Sequence, residues 1–88
     1  MLGWFYDIVG MSERNLHILN GFVKLRENED EIEFKITPLG RINVVLVERN
    51  GDRFNLTFYR NNIPVYYRAD VRLEDVRDEL CETTGVMF

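Results

Sequence analysis

Cysteine, histidine and proline are nearly absent: one Cys, one His and two Pro in 88 residues. A lone Cys81 excludes an internal disulfide, and with it the cross-linked scaffold of small secreted domains. A lone His17 leaves no second imidazole for a metal cage and places no partner beside a general base. The sequence holds no Cys-x-x-Cys pair and no Gly-rich phosphate loop. The acidic run around Glu27, Glu29, Asp30 and Glu31 lacks the alternating oxygen ligands and Gly turn that calcium needs, so it reads as a solvated hairpin tip. Positive charge is also short: 11 Lys and Arg against 15 Asp and Glu give a net charge of −4. That balance opposes bulk attraction to nucleic acid or anionic lipid. The most apolar stretch, MLGWFYDIVG, is short, carries Asp7 and has no basic residues before it. It fits neither a membrane span nor a signal peptide. The expectation is a cytoplasmic protein with no membrane contact, cofactor or metal.

What remains is ordinary for a globular chain, 45% hydrophobic and 30% charged. Its length allows a single domain over 1–88, because a second core would have too little to bury.

The central stretch, Arg41 to Arg68, sets three β-branched and aromatic runs around two turn dipeptides, Asn50-Gly51 and Asn61-Asn62. Both dipeptides suit a type I′ turn, which needs positive φ at its two central residues. Two-residue loops there pair Val47 with Phe54, Val45 with Leu56, Leu56 with Tyr67 and Phe58 with Val65. Turns at Leu39-Gly40 and Asn28-Glu29 extend the pattern to Ile32–Val47, Phe34–Val45, Leu25–Ile32 and Val23–Phe34.

Ser12–Asn20 fits two states. Ser12 is a natural N-cap and Gly21 a natural helix end. Alternatively Asn20-Gly21 is another hairpin turn, pairing Leu16 with Leu25 and Ile18 with Val23. The second state completes two apolar rows across the sheet: Leu16, Leu25, Ile32, Val47, Phe54, Ala69 and Ile18, Val23, Phe34, Val45, Leu56, Tyr67. Side chains opposed across strands share a face, so alternation favours a strand here. The other face then pairs Arg26 with Glu31, Lys24 with Glu33, Glu48 with Arg53 and Arg53 with Asp70.

After Arg68 the period lengthens. Leu73, Val76, Leu80 and Cys81 fall at helical spacing, acids line the other side, and Gly85 supplies the stop. Asp70 is the expected cap or entry-turn residue. Cys81 reads as a small core residue. Six strands span about 24 Å while one helix covers about 10 Å, so the N-terminal run, expected as a short helix, or Val86-Met87-Phe88 must help cover the apolar face. The expected class is α+β: a curved six-stranded antiparallel meander with a C-terminal helix and an apolar N-terminal segment on one face.

The outward face carries more apolar surface than solvent requires. Phe22, Ile42, Val44, Leu46, Tyr59 and Tyr66 are expected there with Arg53 and Arg68. Apolar patches rimmed by charge mark protein contacts, and Tyr and Arg dominate hot spots. The expected function is therefore a non-enzymatic interaction module, a small adaptor or inhibitor of the phage- or plasmid-borne kind. It would bind a protein partner, or itself as a dimer, through these eight residues. The alternative uses the same face to stack single-stranded nucleic acid.

Overall fold

A computed structural model describes residues 3–36 and 42–86. Its elements are α1 (Trp4–Val9), α2 (Glu13–Asn20), β1 (Phe22–Glu27), β2 (Glu31–Ile36), β3 (Val44–Asn50), β4 (Arg53–Arg60), β5 (Ile63–Arg72) and α3 (Leu73–Thr84). The α+β class, the antiparallel meander and the C-terminal helix are as expected. The sheet has five strands in the order β1-β2-β3-β4-β5, not six.

The missing strand is α2. The Ser12 Oγ accepts the Asn15 N–H at 3.1 Å, and Gly21 ends the helix at φ 70° with its N–H on the His17 carbonyl. Asn20-Gly21 is thus a helix stop and not a hairpin. Of the residues assigned to the apolar face here, Leu16 is buried and Ile18 is exposed. The short helix expected near the N-terminus is α1; it buries Phe5 and Val9 and ends at Gly10 in the left-handed region.

The β2–β3 register agrees with expectation: Ile32 faces Val47 and Phe34 faces Val45. The β3–β4 register is displaced by two residues. Val47 faces Leu56, Val45 faces Phe58 and Asn50 faces Arg53, so Gly51-Asp52 forms the loop. A two-residue slip preserves face identity, and Val45, Val47, Phe54, Leu56 and Phe58 are all buried. Asn61 and Asn62 do form the expected turn, with φ 50° and 67°. β5 then shifts register twice against β4, so Leu56 faces Arg68 instead of Tyr67, and Phe54 faces Val71 instead of Ala69. β1 shifts register against β2 between Lys24 and Arg26, leaving Leu25 exposed. The expected turn at Leu39-Gly40 and the tail residues Met87 and Phe88 lie outside the described residues.

The core joins Phe5, Val9, Leu16, Val76 and Leu80 of the helices to the inward side chains of β1 to β4, to Ile42 and to Val71 of β5. Phe34 is its hub: Phe5 and Phe22 lie 5.1 and 5.4 Å from its ring centroid. Each such fully buried side chain stabilises the fold by about 1.5–3 kcal/mol. Trp4 packs on Phe54 with centroids 5.6 Å apart and lies 5.4 Å below the Arg49 guanidinium. Its indole N–H donates to the Glu29 carbonyl at 3.0 Å, which ties α1 to the β1–β2 turn.

Candidate interaction surface

β5 positions the surface. It is ten residues long, lies at the sheet edge, and every residue from Ile63 to Asp70 is exposed. Ile63, Val65, Tyr66 and Tyr67 expose 63, 44, 42 and 55% of their surface, whereas the inward residues of β2, β3 and β4 are buried. The cause is the reach of α3. Val76 and Leu80 turn into the core, where α3 meets both β4 and β5, and the helix stops at Gly85, whose N–H bonds the Cys81 carbonyl.

As a backbone template the same edge is poor. Pro64 has no N–H, two register shifts break the ladder, and Asp70 sits at φ 55°. Natural sheets use these devices to stop edge-to-edge pairing. Side chains, not backbone groups, are what β5 offers.

Between β5 and α3 runs a cleft. One hollow of about 450 Å³ is lined by Tyr66, Arg68, Glu79, Glu82 and residues Thr83 to Gly85. A second, of about 400 Å³, shares Arg68, Glu79 and Glu82 and continues to Arg72, Asp75 and Asp78. Arg68 reaches Glu79 at 3.5 Å, and Arg72 reaches Asp75 at 3.4 Å. Among the described residues no ion pair engages Asp78 or Glu82. A separate, more apolar hollow of about 400 Å³ lies at the start of α3, between Trp4, Ile8, Phe54 and Leu73, with Asp7 and Asp52 on its rim.

The expected site residues separate into three groups. Phe22 and Ile42 are corrected: both are in the core. Phe22 turns inward because the β1 register shift moves its partner to Ile36. Ile42 precedes β3, in a segment where Asn43 bonds Ile36 and Tyr59 through its backbone and Asn61 through its side chain, so strand alternation does not hold. Val44, Leu46 and Tyr59 lie on the outward face as expected, but Val44 and Tyr59 are half-buried and Leu46 is buried between Glu33 and Thr57. Arg53, Tyr66 and Arg68 are exposed. Tyr66 and Arg68, facing Phe58 and Leu56, lie on the α3 side of the sheet. The outward face was expected for both. Ile63 and Val65 continue the exposed strand beside Tyr66, while Tyr67, opposite Thr57, lies on the outward face; none of these three was expected at the surface, because alternation assigns Val65 and Tyr67 to the core.

The outer ion pairs also differ. Arg26 bonds Glu31 at 2.9 Å, as expected, and Glu33 at 3.2 Å. Lys24 takes Glu13 and Glu27 in place of Glu33. Glu48 faces Asn55, not Arg53. Asp70 gives its N–H to Asn55, and α3 begins after Arg72 without a side-chain cap.

Near α2, burial and Glu13 push the Tyr6 phenol up to about 12. Glu27 and Glu13 hold Lys24 firmly as a cation. Hydrogen bonds from Asn28 and Arg26 hold Glu31 below the usual carboxylate range. These shifts stabilise the resting charge states and create no nucleophile or base near neutral pH. His17 is exposed on α2, and Cys81 is half-buried. Among the described residues no group of three or more His, Cys, Asp or Glu side chains is placed to hold a metal ion. No described helix is long and apolar enough to cross a membrane. Comparison with protein-family models, curated proteins and solved structures finds no match.

Proposed function

We propose that this chain is a non-enzymatic protein-interaction module, a small cytoplasmic adaptor or inhibitor, whose contact surface centres on β5. The observation that carries this reading is the exposed series Ile63, Val65, Tyr66 and Tyr67 on a strand whose neighbours bury their apolar residues. Solvent gives no reason to keep Ile63, Val65 and Tyr66 exposed side by side, with Tyr67 exposed on the other face of the same strand, and Tyr beside Arg is typical of hot spots. Arg53, on the outward face of the neighbouring β4, lies opposite Arg72 at the other end of β5 and stands apart from this patch.

The test is substitution with charge. Val65→Asp and Tyr66→Asp remove apolar contact at exposed positions and should leave the melting temperature nearly unchanged. Each should abolish capture of the natural partner, or lower the mass in light scattering if the partner is a second copy. Retained association with both variants would refute the reading.

A second reading, single-stranded nucleic acid, is supported by Tyr66 and Tyr67 beside Arg60 and Arg68. Against it stand the net charge of −4 and the engagement of Arg68 by Glu79. Binding of an oligonucleotide at low salt, falling steeply as salt rises, would favour it.

A further inference from the structure

We infer that the partner segment seated on β5 is cationic and carries an apolar anchor: a Lys- or Arg-rich stretch of another protein, with its apolar side chain on Val65 and Tyr66 and its positive charges in the β5–α3 cleft. This deepens the proposed interaction role and rests on it. Two adjoining features carry it. Tyr66 lines the cleft at the end where α3 stops, and the exposed Val65 and Ile63 continue the strand from there. That is the seat for an apolar side chain. The cleft itself is complementary to positive charge. Arg68 and Arg72 are engaged by Glu79 and by Glu74 and Asp75, while Asp78 and Glu82 keep uncompensated charge among the described residues.

The same charge argues against the other occupants. A second copy would bring an identical acidic α3 and a net charge of −4 to an acidic cleft. A nucleic acid would bring phosphates to it. Strand addition is disfavoured by Pro64 and the broken ladder, so the segment docks through side chains. Charge pairing of this kind mainly sets partner choice and association rate, while the buried apolar anchor holds the complex.

The experiment uses the intact chain and three fluorescein-labelled peptides. One alternates Lys with Leu and Phe, one replaces every Lys by Glu, and one is Lys and Gly alone. The first is expected to bind and to shift the amide resonances of Tyr66, Arg68, Glu79 and Glu82. The second should not bind, and the third should bind at least about tenfold more weakly, as expected when a buried anchor is lost. Asp78→Asn combined with Glu82→Gln should weaken the first peptide about threefold to tenfold at low salt and flatten its salt dependence. Val65→Asp should abolish binding of its apolar part and leave only the weak, salt-sensitive level of the third peptide. Equal binding of the charge-reversed peptide, resonance shifts elsewhere, no effect of the double variant, or no binding at all would overturn the inference. So would a doubled mass that is lost in Val65→Asp, or an oligonucleotide that shifts the same resonances. If natural-partner capture fails with Val65→Asp but survives Asp78→Asn with Glu82→Gln, the interaction role stands and the cationic segment does not. If both variants capture normally, both fail.

Discussion

Ser12 and Asn15 are joined by a 3.1 Å hydrogen bond from the Asn15 backbone N–H to the Ser12 Oγ, and this contact starts α2. The first-turn N–H groups of a helix have no partner inside it, so a side-chain acceptor at the N-cap stabilises the whole element. Ser12→Ala is expected to cost about 1 kcal/mol in urea unfolding, while Ser12→Asp retains the acceptor and stays near wild type. An unchanged midpoint in Ser12→Ala would show that α2 is held by packing alone.

That bond also shows why the N-terminal third was the least legible part of the sequence. Ser12 and Gly21 are correct helix signals, but Asn20-Gly21 is equally a hairpin signal. Leu16 and Ile18 fit strand alternation by coincidence; on the helix only Leu16 is buried. Elsewhere the inward set of β2, β3 and β4 was legible, because alternation fixes the face of a strand. Alternation cannot see a two-residue slip, which is why the β3–β4 register moved from Val47–Phe54 to Val47–Leu56 with no change of face. Single-residue shifts are the harmful ones. Those in β1 and β5 reversed Phe22, Leu25, Tyr66, Tyr67 and Arg68, and with them part of the expected contact surface. Tyr66, Arg53 and Arg68 remain exposed. Where α3 would stop covering β5 depends on tertiary packing that local pattern does not encode.

Phe22 and Leu25 give a direct test of the β1 register. Phe22 is 1% exposed and stacks on Phe34, while Leu25, three residues on, is 50% exposed. Phe22→Ala should cost about 3–5 kcal/mol, as buried aromatic truncations do, enough to threaten folding of so small a domain. Leu25→Ala should change stability by less than about 0.5 kcal/mol. Phe22→Leu provides a folded intermediate if the Ala variant does not express. The reverse ranking would restore the unbroken register.

Alkaline pH should loosen the α1–α2 corner. The Tyr6 phenol is pushed from 10.0 to about 12, chiefly by burial and then by the Glu13 and Glu27 charges, and it donates to Glu13 at 3.4 Å. A folded value above the unfolded one favours the protonated form in the native state. The stability it contributes is present below pH 10 and is lost as pH rises toward 12. Tyrosinate absorbance should show one late-titrating phenol in the wild type, absent in Tyr6→Phe. The Phe variant should lose less stability across that window. Identical pH profiles for the two proteins would assign the alkaline loss elsewhere.

Pro64 controls how the exposed strand is used. β5 is long, apolar and at the edge, which is the profile of a strand that recruits other strands. Opposite Tyr59, Pro64 brings no N–H to that edge, and a register shift follows it at once. The apolar side chains therefore stay available while the backbone is blunted, which is what selective side-chain docking requires. Pro64→Val returns the missing donor without adding charge. It should raise the mass seen by light scattering at high concentration and promote β-rich aggregates, with the monomer's circular dichroism little changed. Pro64→Lys restores the donor but sets a charge on the edge, and should stay at the wild-type mass. If Pro64→Val matches wild type at every concentration, the two register shifts and Asp70 guard the edge without it, and a partner strand is excluded by geometry and not by the missing N–H.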